Sequence, residues 1–241
     1  MCLINIKRGR PAVNCPHCHS TKVVKNGQKR TGMQNFLCKS CGKQFQWEYF
    51  YQGANPMVKF RIKSSLLHGS GIRDCYKVFG VSPQTTINLI LSEGKKVKIL
   101  PQQKYYERLE IDEMYSFVSK KAKKVWIFYA YAPETKEILA VTMGKRSKKQ
   151  LKNLMVQIKN LHIEIGFYCT DKFEAFKETF PYFNHIIGKK FTRNIEGINT
   201  LIRSKIARFH RRTTKFSKKL TVQWFLMKLF IFYFNQMPSY I

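Results

Sequence analysis

From residue 107 onward the chain alternates strand-like and helix-like patterns. In "ERLEIDEMYSFV" (107–118) apolar and polar residues recur with a period of two. This predicts a strand with Glu110, Asp112 and Met114 on one face and Ile111, Glu113 and Tyr115 on the other. "KVWIFYAYAPETKEILAVTM" reads as two further strands joined by a turn at 133–136. In 147–161, Leu151, Leu154, Met155, Ile158 and Leu161 stand at helical spacing, and "HIEIGFYCTD" then predicts a strand ending at Asp171. The segment 192–209 predicts a helix with a buried stripe of Ile195, Ile198, Ile202 and Ile206, and with Glu196, Asn199 and Arg203 together on another side. The longest apolar stretch, "LTVQWFLMKLFIFYF" (220–234), contains Gln223 and Lys228 and is shorter than the roughly 20 residues a bilayer span needs. It predicts a buried helix and no membrane partner. Together these elements form a mixed α/β sheet with helices packed on it.

Earlier in the chain the periodicity changes. Residues 57–95 predict three short helices. Gly80 ends the second, Ser82 caps the third, and Pro83 occupies its first turn, where a missing N–H costs nothing. On the third helix Ile87, Ile90 and Leu91 mark an apolar face. Gln84, Thr85, Thr86 and Asn88 are short polar groups near its N-terminus. That layout suits a helix-turn-helix domain whose second helix reads base edges, and it also suits an ordinary three-helix core with a solvated face. Linkers are expected at 50–56 and 95–106, around Pro56 and Pro101.

Residues 12–47 carry two C-x-x-C pairs, Cys15/Cys18 and Cys38/Cys41, amid turn residues and two short strands expected to join near Asn26-Gly27. Two such knuckles complete a tetrahedral zinc site with no open position, which makes the metal structural and the segment a zinc ribbon. A redox C-x-x-C would not explain the second copy. His17 and His19 lie beside the first knuckle; either could substitute for a ligand, and exposed side chains near phosphate are the plainer reading.

Composition adds a partner. The 241 residues hold 44 Lys+Arg against 14 Asp+Glu, a formal charge of +30. An AT-rich coding bias would raise acids along with lysine, so scarce acids point instead to a polyanion, with nucleic acid first. No apolar leader opens the sequence, and the paired cysteines suit a reducing compartment. The expectation is therefore a cytoplasmic, nucleoid-associated protein.

Against that charge the few acids stand out. The only aspartates are Asp74, Asp112 and Asp171. Two strand aspartates and Glu196 on a helix would converge only if a divalent cation offset their repulsion, and hard oxygen ligands suit Mg²⁺ or Mn²⁺. Two such ions can activate an attacking oxygen and stabilise the leaving one in phosphodiester displacement. The plain alternative is surface acids paired with lysines.

The zinc-ribbon words "CPHC…CKSC", followed by "IDEMYSFV", "KVWIFYAYAPET", "CTDKFEAF" and "NIEGINTLIRSKIARFHRRTTKFSKKL", resemble the insertion sequence 1 transposase family in order and wording. The resemblance implies a ribonuclease H-like DDE catalytic domain (107–236) preceded by a zinc ribbon (12–47) and a helix-turn-helix (57–95). By position it implies a metal-binding catalytic triad of Asp112, Asp171 and Glu196, with Asn199 and Arg203 at polar positions after the glutamate. Gly197-Ile198 departs from the basic residue and histidine of some members. The basic tail 203–219, including Arg211, Arg212 and Lys215, is expected to grip phosphates, alongside Gln84, Thr85, Thr86 and Asn88. The implied function is a transposase that binds terminal inverted repeats, cuts, and transfers 3′-hydroxyl ends to target DNA, acting as a dimer or larger assembly. A nuclease without joining, or a DNA-binding regulator without catalysis, remains an alternative. Glu110 and Glu113 are additional possible metal contacts.

Overall fold

A computed structural model describes residues 14–30, 32–46, 51–210 and 214–236. The chain divides into two compact units, residues 1–51 and 52–241. The expected phosphate contacts Arg211 and Arg212 lie outside the described residues, as do positions 12, 13, 31 and 47 of the expected ribbon.

The first unit is a three-stranded antiparallel sheet of β1 (Val23–Gln28), β2 (Gln34–Cys38) and β3 (Gln44–Gln46). The sequence expectation of a turn at Asn26-Gly27 is corrected. β1 runs through both residues, the register shifts between Lys25 and Gln28, and Gly27 adopts φ +67°. This is a bulge, where glycine tolerates the positive φ and the ladder skips a residue. The Gln34 side chain takes up the Gly27 carbonyl at 2.9 Å, and the chain reverses at 29–33 instead.

The second unit opens with α1 (Pro56–Leu66), α2 (Ile72–Phe79) and α3 (Pro83–Lys96). α2 ends at Gly80 in the left-handed region, φ +64°, and the Ser82 hydroxyl accepts the Thr85 N–H at 3.2 Å to start α3. A five-stranded sheet follows in the order β6-β5-β4-β7-β8. β4 (Tyr105–Val118), β5 (Lys120–Ala132) and β6 (Glu137–Gly144) form an antiparallel meander. β7 (Glu164–Thr170) and β8 (His185–Ile187) then add in parallel on the other side of β4. The meander's first turn is tight, with Ser119 at φ +69°, so β5 begins before the apolar run that marks it in the sequence.

Both faces of the sheet are covered. On one, Leu109, Ile111, Phe128 and Ala130 pack with Leu151, Leu154 and Ile158 of α4 (Lys148–Lys159), and with Phe176 of the short α5 (Glu174–Lys177). On the other, Met114, Ile127, Tyr129 and Val141 meet Ile195 and Ile202 of α6 (Arg193–Lys205) and Met227 and Phe230 of α7 (Leu220–Gln236). Ile62, Leu66 and Ile90 of α1 and α3 belong to this same cluster, so one core runs through the segment between 95 and 107. α7 is buried as its apolar pattern predicts, and no helix among the described residues is long and apolar enough to cross a membrane.

Candidate active site

The parallel pairing of β4 with β7 sets Ile111 beside Thr170, so the next residue on each chain, Asp112 and Asp171, emerges side by side where β7 ends. Each aspartate is held. The Asp112 Oδ1 accepts the Glu113 N–H at 2.8 Å and its Oδ2 accepts Asn199 Nδ2 at 2.8 Å. The Asp171 Oδ1 accepts the Phe173 N–H at 2.9 Å, closing the turn into α5. Burial raises the Asp112 pKa above the usual carboxylate range. Its two hydrogen bonds oppose that rise, and the charges of Asp171 and Glu196 add to it.

Glu113 joins them. Carboxylate oxygens of Asp112, Glu113 and Asp171 all lie within 4.8 Å of one another. Strand alternation predicts Glu113 on the opposite face from Asp112. The pairing of β4 with β7 ends at Ile111, however, so side chains of both faces can converge beyond the end of β7. Glu113 Oε1 accepts from Arg146 Nε at 2.9 Å and from a second guanidinium nitrogen, while its Oε2 is buried with no hydrogen-bond partner. Burial raises the Glu113 pKa, against the pull of Arg146. The Arg146 guanidinium lies 3.9 Å from the Phe173 ring centre and 4.9 Å from that of Trp126. Sequence reading missed Arg146. The available signal was a single arginine among lysines in "GKRSKK", since only a planar guanidinium stacks and bonds at once.

Glu196 is exposed on the first turn of α6 and is not among the oxygens that converge, although Asp112 feels its charge. Glu110 has another role. It is fully buried, and its two oxygens accept Asn194 Nδ2 at 2.7 Å and the Ile195 N–H at 2.8 Å. It therefore caps the N-terminus of α6 from the neighbouring strand, two residues before Asp112. Asn199 sits one turn further along, 9% exposed. Its amide donates to Asp112 and its Oδ1 accepts from the Tyr129 hydroxyl at 2.9 Å. Tyr129 is wholly buried, and burial pushes its pKa well above the ordinary value.

Several expected phosphate contacts change meaning. Asn199 faces the aspartate, so its amide is spent on orienting Asp112. Thr86 is 0% exposed and packs against the core, because Thr86, Ile90 and Gly94 form the buried line of α3. Lys215 pairs with Asp74 at 2.6 Å, and this contact is the main cause of a lowered Asp74 pKa. In the same tail Arg208 is 7% exposed, donates to Ser217 Oγ at 2.7 Å, and is lowered to about 10 by burial. Gln84 and Asn88 remain exposed, bonded to one another at 2.8 Å, with Thr85 half-buried between them. Arg203 is half-buried on α6, close enough to stabilise a charged Tyr129.

In the first unit the four cysteines converge, with Cys15–Cys41 and Cys18–Cys38 sulfurs each 3.6 Å apart and all four within 4.8 Å. Tetrahedral zinc with bonds of about 2.3 Å requires sulfurs about 3.8 Å apart, so the set fits that ion. The Cys41 N–H, against a burial penalty and helped by the Ser40 N–H, brings the Cys38 thiol down to about 6. His17 and His19 are exposed and outside the cluster.

Comparison with known proteins supplies the family. Residues 108–235 match the family model described as IS1 transposase, and residues 11–42 match that of the InsA N-terminal domain. The InsB protein of insertion element iso-IS1n from Shigella dysenteriae is 33% identical over 122 residues, covering 51% of this chain and 92% of that protein. An InsB protein of insertion element IS1 from Escherichia coli K12 is 28% identical over 145 residues, covering 59% and 86%. A chain from the cryo-electron-microscopy structure of a simian T-cell lymphotropic virus intasome in complex with PP2A regulatory subunit B56 gamma aligns with TM-score 0.35 and 13% identity. That alignment covers 69% of this chain and 64% of the other, a likeness too slight to assign a fold. With more than half of its length matched by the family model and its cysteine cluster in the InsA-like segment, the chain belongs to the IS1 transposase family.

Proposed function

We propose that this transposase cuts the ends of its insertion sequence and joins the freed 3′-hydroxyls to target DNA, with Asp112, Asp171 and Glu196 as its metal-binding residues. The observation that carries the reading is the side-by-side emergence of Asp112 and Asp171 at the end of β7, in a chain that has only one other aspartate. Two facing carboxylates repel one another unless a proton or a cation offsets their charge, and the all-oxygen donor set suits Mg²⁺ or Mn²⁺. When bound, such ions would polarise the scissile phosphate and activate the attacking water or hydroxyl.

The chain's own residues hold this arrangement in place. Asn199 and the Glu113 N–H orient Asp112, and the Phe173 N–H orients Asp171. Glu110 pins the start of α6, which sets where Glu196 stands. No covalent enzyme–DNA step is needed, since water and then the 3′-hydroxyl serve as nucleophiles. The mixed sheet with helices on both faces favours the ribonuclease H-like reading of 107–236. The Gly80–Ser82 turn between α2 and α3, with Gln84 and Asn88 exposed, favours helix-turn-helix readout for 57–95. The zinc ribbon, 12–47, would add a further DNA contact. Bringing two ends together requires a dimer or larger assembly, at work in the cytoplasm on the nucleoid.

The test uses DNA carrying the inverted repeats that flank the coding sequence, a supercoiled target and Mg²⁺. Products in which the 3′ ends are joined at staggered positions on the two target strands are expected. Cut but unjoined ends would indicate a nuclease, and uncut DNA in a stable complex would indicate a regulator.

A further inference from the structure

We propose that Glu113 is a direct ligand of the divalent cation held by Asp112 and Asp171, with Arg146 as the residue that presents it. The inference rests on the metal-binding reading above and assigns a residue that the DDE triad does not include.

The argument begins with an unsatisfied atom. The Glu113 side chain is only 5% exposed, and the guanidinium of Arg146 occupies one of its oxygens, Oε1. The other, Oε2, is shielded from solvent and bonded to nothing. Leaving a buried acceptor unmade costs about 1–3 kcal/mol, and more for a charged group. An ion or an ordered water commonly completes such an atom, and the two aspartates beside it favour the ion. Glu113 brings a carboxylate oxygen within 4.8 Å of oxygens from both aspartates, a span that a single cation with bonds of about 2.0–2.4 Å can bridge.

Charge points the same way. Three carboxylates beside one guanidinium leave two net negative charges, which one divalent ion neutralises. Arg146 is itself fixed, stacked between Trp126 and Phe173, and the Phe173 N–H holds Asp171. The same aromatic residue therefore positions two of the three carboxylates, one through its backbone and one through Arg146. Glu110 is excluded from this role because both its oxygens are engaged at the start of α6.

The test is Mn²⁺ binding to the zinc-loaded full chain without DNA, measured by the free-ion electron paramagnetic resonance signal. Wild type is compared with Glu113→Gln, Glu113→Asp and Asp171→Asn, with circular dichroism to check folding. Both Glu113 variants should weaken Mn²⁺ by about ten-fold or more, as expected for a lost or withdrawn ligand. Terbium luminescence lifetimes in H₂O and D₂O give a second readout that a merely structural glutamate would not move. Glu113→Gln should add about one inner-sphere water. If Asp171→Asn weakens Mn²⁺ while Glu113→Gln changes neither affinity nor water count, the Glu113 assignment is overturned and the aspartate site stands. If Asp171→Asn also leaves Mn²⁺ binding unchanged, the metal-binding reading itself fails. Should Glu113→Gln misfold, Glu113→Asp decides: it keeps the charge for Arg146 but withdraws the oxygens, so undiminished affinity in that variant overturns the proposal.

Discussion

Asp112 is held by two donors and repelled by its acidic neighbours, and those two facts predict opposite responses to mutation. Its folded pKa is raised, so the folded state binds that proton more tightly than the unfolded chain. Its contribution to stability is therefore greatest below the unfolded pKa and falls as pH rises through the folded one. Removing a repelling neighbour should relieve the strain. Asp171→Asn keeps an oxygen for the Phe173 N–H and removes a charge. In chelator at neutral pH its melting temperature should exceed wild type by about 2–4 °C, and saturating Mg²⁺ should shrink or reverse the difference. A variant that melts lower than wild type in chelator would contradict the repulsion. Asn199→Ala is expected to act the other way. It strips Asp112 of a donor and the buried Tyr129 hydroxyl of an acceptor, and should cost about 1–3 kcal/mol in denaturant unfolding. Unchanged stability would mean that the amide does not hold the carboxylate.

At the scale of elements, α3 and α7 approach closely at one point. A methyl group on Gly94 would lie 2.5 Å from Phe225 Cβ and 2.9 Å from Phe225 Cδ1. Gly94→Ala should therefore destabilise by about 1–3 kcal/mol although alanine is the better helix former. Phe225→Ala should rescue it only in part, because the nearest clashing atom is Cβ and survives that truncation. The element pattern was largely legible in the sequence: alternation marked β4, the isoleucine stripe marked α6, and Ser82-Pro83 marked the start of α3. What local pattern could not give was anything that depends on pairing. Glu113 reaches the aspartates beyond the end of β7, and the buried line of α3 runs through Thr86, Ile90 and Gly94, which no apolar pattern marks. The sequence offers Lys215 as a phosphate contact, and only the fold shows Asp74 beside it. The Gly27 bulge imitates a turn because both require a positive φ.

At the scale of the whole molecule, the +30 charge and the cysteine cluster make separate predictions. Binding of end DNA should weaken linearly in a plot of log affinity against log salt, with a slope steep enough to count several displaced counterions. A flat salt response would remove nucleic acid as the reason for the charge. Zinc sites of this type supply on the order of 10 kcal/mol, so Cys38→Ser should release zinc and abolish the cooperative order of residues 14–46. The folded core of 52–241, which has its own hydrophobic cluster, should survive that change. Proteolysis should accordingly clip the ribbon of the variant first, and equal resistance in both proteins would contradict the separation.

The most direct measurement of the central claim is cleavage and joining of inverted-repeat DNA by wild type and by Asp171→Asn in Mg²⁺. The variant should still bind the DNA and keep its fold, yet yield neither 3′-hydroxyl ends nor joined product. Wild-type levels of both products from Asp171→Asn would contradict the assignment of Asp112 and Asp171 as the catalytic centre.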